Sequence, residues 1–273
     1  MRYLLLIYSF LLLACHNEQP VGFKFMTYNI RYSNPGDGPN WWELRKQKVT
    51  DLILKHSPDV LGIQEALEIQ ISQLDSLLEK YTLYGVGRND GKTAGEYAAI
   101  FYNKEKLKLL GSGTFWLSET PEMIGSVGWD ASMERICSWV QLEDIASQKK
   151  FFVFNAHFDH IGKEARKNST ILIMEKITEI TSGKPTVFMG DLNFTPDEPP
   201  YLFCLENGFE DSYREVEKSC TYTGFNVKDA LCKRIDYIFT NEHFQTRSFF
   251  IDDTNDGEYF PSDHLPVIVD AEF

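Results

Sequence analysis

The chain has 273 residues, 43% hydrophobic and 14% aromatic, enough apolar material to bury one large core. Its 40 acidic against 27 basic residues give a formal net charge of −13 with no basic stripe, which argues against a protein that grips long duplexes by neutralising phosphates. No Pro/Gly/Ser-rich linker, internal repeat or low-complexity tract interrupts residues 23–273, so one domain is expected there.

Arg2 precedes an apolar stretch from Tyr3 to Ala14, too short for a comfortable membrane span and laid out like a signal peptide. Its end, Leu12-Leu13-Ala14-Cys15, resembles a bacterial lipoprotein cleavage site. The expectation is a leader over residues 1–15, with Cys15 lipidated, and a tether over 16–22. The protein would then be exported and held at the bacterial envelope through its lipid alone; an ordinary secretory signal cut elsewhere is the alternative.

Phe23 to Tyr28 reads as a strand that runs into Asn29. Glu43 to His56 places Leu44, Val49, Leu52 and Ile53 at helical spacing, and Ser57-Pro58 stops the helix. A strand from Asp59 to Gln64 then runs into Glu65, and Ile69, Leu74, Leu77 and Leu78 predict a second helix before Tyr81. Strand-like runs follow at Ala98 to Tyr102, Leu107 to Leu117, Ile136 to Leu142 and Phe151 to Ala156. Lys163 to Thr181 predicts a longer helix with Ile171, Met174, Ile177 and Ile180 on one face. Thr186 to Met189 leads into Gly190-Asp191-Leu192-Asn193, and Pro261-Ser262-Asp263-His264 opens a final run from Leu265 to Val269.

Regular alternation of strand and helix fails in the middle of this order, so a purely parallel doubly wound sheet is disfavoured. Two stacked, largely antiparallel sheets with helices outside fit better. The turn-rich segments Ser33 to Pro39 and Arg88 to Gly95 are expected around the mouth of a site. Trp41, Trp42 and Trp129 fall in expected loops, where they either pack or stack on a ring of the substrate; packing is the preferred reading.

Asn29, Glu65, the pair Asp191 and Asn193, and the pair Asp263 and His264 share one property: each lies at the end of an apolar β-like run. Carboxylates and amides at strand ends can converge although distant in sequence, and a hard-metal site is built from such oxygen ligands. A metal-dependent hydrolase is therefore expected. Cys137, Cys204, Cys220 and Cys232 match no zinc pattern, because the chain has no C-x-x-C pair. Cys220 and Cys232 flank an expected hairpin and could bridge in an exported protein; four free core thiols are the equal alternative.

Tyr28-Asn29-Ile30, Gln64-Glu65, Asn155-Ala156-His157, Gly190 to Asn193, Arg234-Ile235-Asp236-Tyr237 and Ser262-Asp263-His264 together resemble the endonuclease/exonuclease/phosphatase superfamily. That group contains deoxyribonuclease I, abasic-site endonucleases, neutral sphingomyelinases, inositol-phosphate phosphatases and nocturnin-like enzymes. The resemblance covers residues 23–273 and implies an α/β four-layer sandwich that hydrolyses phosphoesters with Mg2+ or Mn2+. It implies Glu65 as principal metal ligand, supported by Asn29 and Asp263. Asp191 would orient or deprotonate the attacking water, and Asn193 would donate to a phosphoryl oxygen. An Asx turn is the structural alternative for that pair.

The same resemblance implies His264 beside the scissile phosphate, with Asp236 fixing its tautomer and charge. His157 would be a second active-site histidine with Glu96 as its carboxylate partner, and Arg135 would contact phosphate. His16, His56, His160 and His243 have no motif support and are assigned surface or packing roles. Abasic-site endonucleases carry an acidic residue two positions after the Asn of the first motif, where this chain has Arg31; that departure disfavours abasic-site repair. The expected client of this presumptive monomer is a phosphorylated small molecule or head group. A secreted nuclease is the less favoured reading, and a catalytically silent surface-binding module is the rival from another class.

Overall fold

A computed structural model describes residues 20–214, 219–228 and 231–273. Cys15 and the expected leader lie outside the described residues. No helix among the described residues is long and apolar enough to cross a membrane.

The strands form two six-stranded sheets. One runs in the order β11 (Gln245–Ile251), β12 (Val267–Glu272), β1 (Gly22–Asn29), β2 (Val60–Ala66), β4 (Tyr97–Asn103), β3 (Tyr81–Tyr84). The other runs β5 (Leu107–Trp116), β6 (Ile136–Asp144), β7 (Lys150–His157), β8 (Thr186–Asp191), β10 (Asp236–Asn241), β9 (Phe209–Asp211). Pairing is parallel between β1 and β2 and between β7 and β8, and antiparallel in the remaining named pairs. Helices α1 (Trp42–His56) and α2 (Glu68–Leu77) cover the first sheet, and α3 (Lys163–Thr181) and α4 (Pro199–Glu206) cover the second. This is the expected α/β sandwich of four layers.

The layering follows from strand alternation. In β1, Phe23 and Phe25 face the opposite sheet and join Val60, Val140, Val153 and Val187, whereas Met26 and Tyr28 face α1 and α2. Strands apolar on both faces need cover on both, and the helices supply the second one. Burying a side chain such as Phe25 contributes roughly 1.5–3 kcal/mol, so the sandwich rests on many such contacts. The helical stripes are narrower than their sequence suggests: Leu44, Ile69 and Leu77 are exposed, and buried Arg45 and Gln70 occupy the inner faces instead.

Those two polar residues secure the chain after β1. Arg45 donates to the carbonyls of Ile30, Arg31, Asn40 and Pro261. Gln70 accepts from the Ser33 and Leu67 N–H groups and donates to the Arg31 carbonyl. Buried polar groups need such partners, and here the partners are loops that border the site.

Between the sheets, Gln64 Nε2 donates to Asn155 Oδ1 at 2.6 Å, while Asn155 Nδ2 donates to the carbonyls of Ile63 and Ala99. The sheets approach closely there: a Cβ on Gly62 would stand 2.8 Å from both Asn155 Oδ1 and Met189 Cε. Gly190, at φ 146°, meets the Ala156 carbonyl even more tightly, so a side chain would part β7 from β8 just before Asp191.

Candidate active site

Strand register assembles the site. The parallel pairing of β1 with β2 sets Asn29 level with Gln64, and a bulge between Gln64 and Ala66 turns Glu65 out with a left-handed φ of 65°. In the second sheet Asp191 is level with His157 on one side and with Asp236 on the other. His264 follows the Ser262-Asp263 segment that enters β12, and the Ser262 hydroxyl donates to the Asn29 carbonyl at 2.8 Å. Residues from six chain segments thus meet at one end of the sandwich.

Asn29 is fully buried and links the two carboxylates. Its Nδ2 lies 2.9 Å from Glu65 Oε1 and 2.9 Å from Asp191 Oδ2, and its Oδ1 accepts from the Arg31 N–H at 3.0 Å. It therefore turns its nitrogen, not its oxygen, toward the acids. Ligand atoms of Glu65, Asp191 and His264 all lie within 4.8 Å of one another. Asp263 lines the same cavity but stands outside that cluster, where its carboxylate accepts from the Ser262 hydroxyl at 3.2 Å.

Burial and neighbouring charge divide the protonation states. Burial, reinforced by Asp236, pushes the Asp191 carboxyl up to about 7, which suits a group that accepts a proton near neutrality. For His264 burial opposes charge, but Asp236 and Asp191 prevail and hold the imidazole protonated well above its usual range. Its Nδ1 lies 2.9 Å from Asp236 Oδ2, and its Nε2 faces Asp191 Oδ2 at 3.6 Å. His157 goes the other way: burial, Arg135 and Arg88 keep it neutral. Its Nδ1 accepts from Arg135 Nη1 at 3.1 Å, so the ring proton sits on Nε2, 3.5 Å from Asp191 Oδ2.

A cavity of about 900 Å³ opens over this floor. Arg135 lines it with its guanidinium held by Asp159, His157 and His160. Asn193, at φ 50°, lines it too; its Nδ2 donates to the Phe158 carbonyl at 3.0 Å, and its N–H donates to Asp191 Oδ1 at 3.1 Å. The Asx turn weighed from sequence is present, and it is the turn that brings the Asn193 side chain to the cavity. Arg31 lies between Asp37 and Glu65, and Lys233 also lines the cavity.

Two expectations need correction, and a third needs extension. Glu96 makes its short contacts with Arg88, at 2.7 and 3.0 Å, and comes only within 3.8 Å of His157. A guanidinium matches both carboxylate oxygens at once and outcompetes an imidazole. His160 is exposed, as expected, but it also lines the cavity and accepts from Arg135 Nη2 at 3.0 Å. Trp42 belongs to α1, fully buried, with its Nε1 donating to Gln73.

Other site residues escaped sequence reading. Asp159 is buried and accepts from the N–H groups of Ser132, Ile161 and Gly162 and from the Ser132 hydroxyl as well as from Arg135. Arg88, Arg166 and Tyr222 line the cavity, the last edge-on to the His264 ring at 5.0 Å between centroids. Cys220 and Cys232 are bridged, and Cys137 and Cys204 are buried and free.

The sequence profile of the Endonuclease/Exonuclease/phosphatase family matches residues 26–264. An endonuclease/exonuclease/phosphatase from Bacteroides vulgatus is 39% identical, the alignment covering 93% of this chain and 99% of that one, with a TM-score of 0.87. The mannosyl-6-phosphatase of Bacteroides thetaiotaomicron is 33% identical over 92% of this chain and 100% of its own, with a TM-score of 0.86. A probable RNA exonuclease of Saccharomyces cerevisiae is 28% identical over 210 residues, 68% of this chain but 40% of the yeast protein.

Proposed function

The chain belongs to the endonuclease/exonuclease/phosphatase family, whose members hydrolyse phosphoester bonds, and we propose that it is a divalent-metal-dependent phosphoesterase acting on a small phosphorylated molecule, a phosphorylated sugar above all. The observation that carries the reading is the Glu65–Asn29–Asp191–His264 cluster on the floor of a cavity also lined by Arg31, Arg88, Arg135, Arg166 and Lys233. On a chain with a net charge of −13, so local a gathering of cations suits one or two phosphates and not a long backbone. The similarity to a mannosyl-6-phosphatase supports the sugar phosphate.

A half-buried and a buried carboxylate brought together in this way fit a hard divalent cation, which prefers oxygen donors. Glu65 would hold it, with Asp191 adjacent. His264 completes the cluster, its Nδ1 engaged by Asp236. When bound, Mg2+ or Mn2+ would supply positive charge against the phosphoryl oxygens.

The protein groups perform the remaining steps. Asp191 takes a proton from the attacking water as the water oxygen bonds to phosphorus and the bond from phosphorus to the leaving oxygen breaks; that oxygen is protonated by solvent. His264 donates Nε2–H to the phosphoryl oxygens, where negative charge accumulates. Asn193 and Arg135 hold the same oxygens, and His157 orients Asp191.

Purified protein assayed with Mg2+ or Mn2+ against sugar phosphates, p-nitrophenyl phosphate, its bis-ester and single- and double-stranded DNA tests the reading. Turnover should be fastest, in kcat/KM, on a small phosphoester, with shallow salt dependence. Efficient duplex nicking that collapses with salt would favour the secreted nuclease, and no hydrolysis at all would favour the silent binding module. An envelope location through lipidated Cys15, with the protein working there as a monomer, belongs to the same proposal; the Cys220–Cys232 bridge supports an oxidising compartment. Cys15→Ser should release the protein from the membrane fraction or leave its precursor uncleaved.

A further inference from the structure

The cavity is far larger than a phosphoryl group. Its volume of about 900 Å³ falls in the range of roughly 300–1,000 Å³ that holds a whole ligand of moderate size, so it has room for the leaving group as well. Its wall beyond Asn193 is made by Arg166 and Glu198, joined at 3.1 Å between Arg166 Nη2 and Glu198 Oε2.

This pair is fixed before any substrate arrives. Arg166 is 5% exposed, and its Nη1 donates to the carbonyls of Asp159 and Gly162. Glu198 Oε1 accepts from the Thr195 N–H at 3.0 Å and, less closely, from its hydroxyl. Arg166 Nη2 keeps a second N–H beyond the one it gives to Glu198. The Glu198 side chain remains 29% exposed, with free lone pairs. Fixed donors beside fixed acceptors match hydroxyl groups, which both give and accept hydrogen bonds.

Chain connectivity places this wall beside the reacting centre. Asn193, Thr195 and Glu198 lie on one segment between β8 and α4, and all three line the cavity. The opposed charges of the pair offer little to a second phosphate. Nor do the described residues offer an open platform for a nucleobase: of the tyrosines lining the cavity, Tyr32 carries the Arg31 guanidinium over its ring at 4.3 Å and Tyr222 stands against His264.

We propose that Arg166 and Glu198 are the specificity pair of the cavity, binding the hydroxyls of a polyhydroxylated leaving group while Asp191, Asn193 and His264 engage the phosphoryl group. This rests on the phosphoesterase reading above. The pair positions and selects the substrate, and neither residue takes part in bond making.

The test is a ratio: kcat/KM for mannose 6-phosphate divided by kcat/KM for p-nitrophenyl phosphate, whose leaving group has no sugar hydroxyls. Glu198→Gln, which keeps shape and removes charge, and Arg166→Lys should each lower this ratio by roughly 10-fold or more, mostly through KM for the sugar ester. Melting temperatures identify a variant that fails to fold; should Arg166→Lys do so, Glu198→Gln carries the test alone. An unchanged ratio, with both substrates affected equally or neither affected, overturns the specificity pair and leaves the phosphoesterase intact. A parent that hydrolyses no phosphoester with either metal overturns both.

Discussion

His264 Nδ1 lies 2.9 Å from Asp236 Oδ2, and this contact decides which charge the imidazole brings to the cavity. Burial alone would discharge the ring; Asp236, with Asp191, keeps it an imidazolium well above the ordinary histidine range. An imidazole with a raised pKa is charged below that value and loses its proton as pH rises through it. Asp236→Asn should therefore move the alkaline limb of the kcat profile to lower pH. It should also cut kcat by about 100-fold, the usual loss for a group acting on the transition state. A profile with an unmoved alkaline limb would detach Asp236 from the charge of His264.

Glu65 and Asp191 are held by one amide, Asn29 Nδ2, and a cation between carboxylates relieves their repulsion more strongly than an amide does. Activity should be lost in chelator and restored by Mg2+ or Mn2+. Glu65→Gln should weaken metal affinity by about 10-fold or more, read by isothermal titration, with little change in the circular dichroism spectrum. Equal affinity in variant and parent would place the metal elsewhere.

How much of this was legible in the sequence depends on the scale of the signal. Asn29, Glu65, Asp191 and Asp263-His264 stood out because each borders an apolar strand-like run, and parallel register brings strand ends to one edge without any knowledge of side chains. Side-chain partners carried no such mark. Glu96 pairs with Arg88, and His160 reaches Arg135, across loops whose path no periodicity reports. Short elements were missed as well: β3, β9 and α4 are too brief to show a period. Leu44 and Ile69 have the right spacing for a buried stripe, but Arg45 and Gln70 take the inner faces, because the loops after β1 offer them carbonyls and N–H groups.

Asp159 gives a prediction for stability and pH. Burial works against its charge, but hydrogen bonds from Gly162, Ser132 and Ile161 and the charge of Arg135 hold the carboxyl well below the carboxylate range. A depressed folded pKa contributes stability that is complete above the unfolded value, about 3.9, and is lost as pH falls through the folded value. Asp159→Asn should cost roughly 2–4 kcal/mol at neutral pH and flatten the acid limb of the stability curve. Because Asp159 also steadies Arg135, KM should rise as well. Denaturant melts at neutral and acid pH read the first effect, and equal destabilisation at both would remove Asp159 as its source.

The Cys220–Cys232 bridge closes a segment that forms part of the cavity wall. Within it, Tyr222 pairs with Lys233 and with His264 through β-bridges, and the Thr221 hydroxyl accepts from the N–H groups of Ile235 and Asp236. The bridge thus secures the approach to the Asp236–His264 pair from outside the sheets. A sequence separation of 12 residues corresponds to a loop-closure contribution of about 3 kcal/mol in the chain-entropy model. Cys220→Ser with Cys232→Ser should lower the melting temperature by roughly 5–10 °C. It should raise KM more than it lowers kcat, because Tyr222 and Lys233 border the substrate while Asp191 stands on β8. Full reduction of the parent should reproduce both effects, and kinetics unchanged by reduction would show that the wall keeps its form without the bridge.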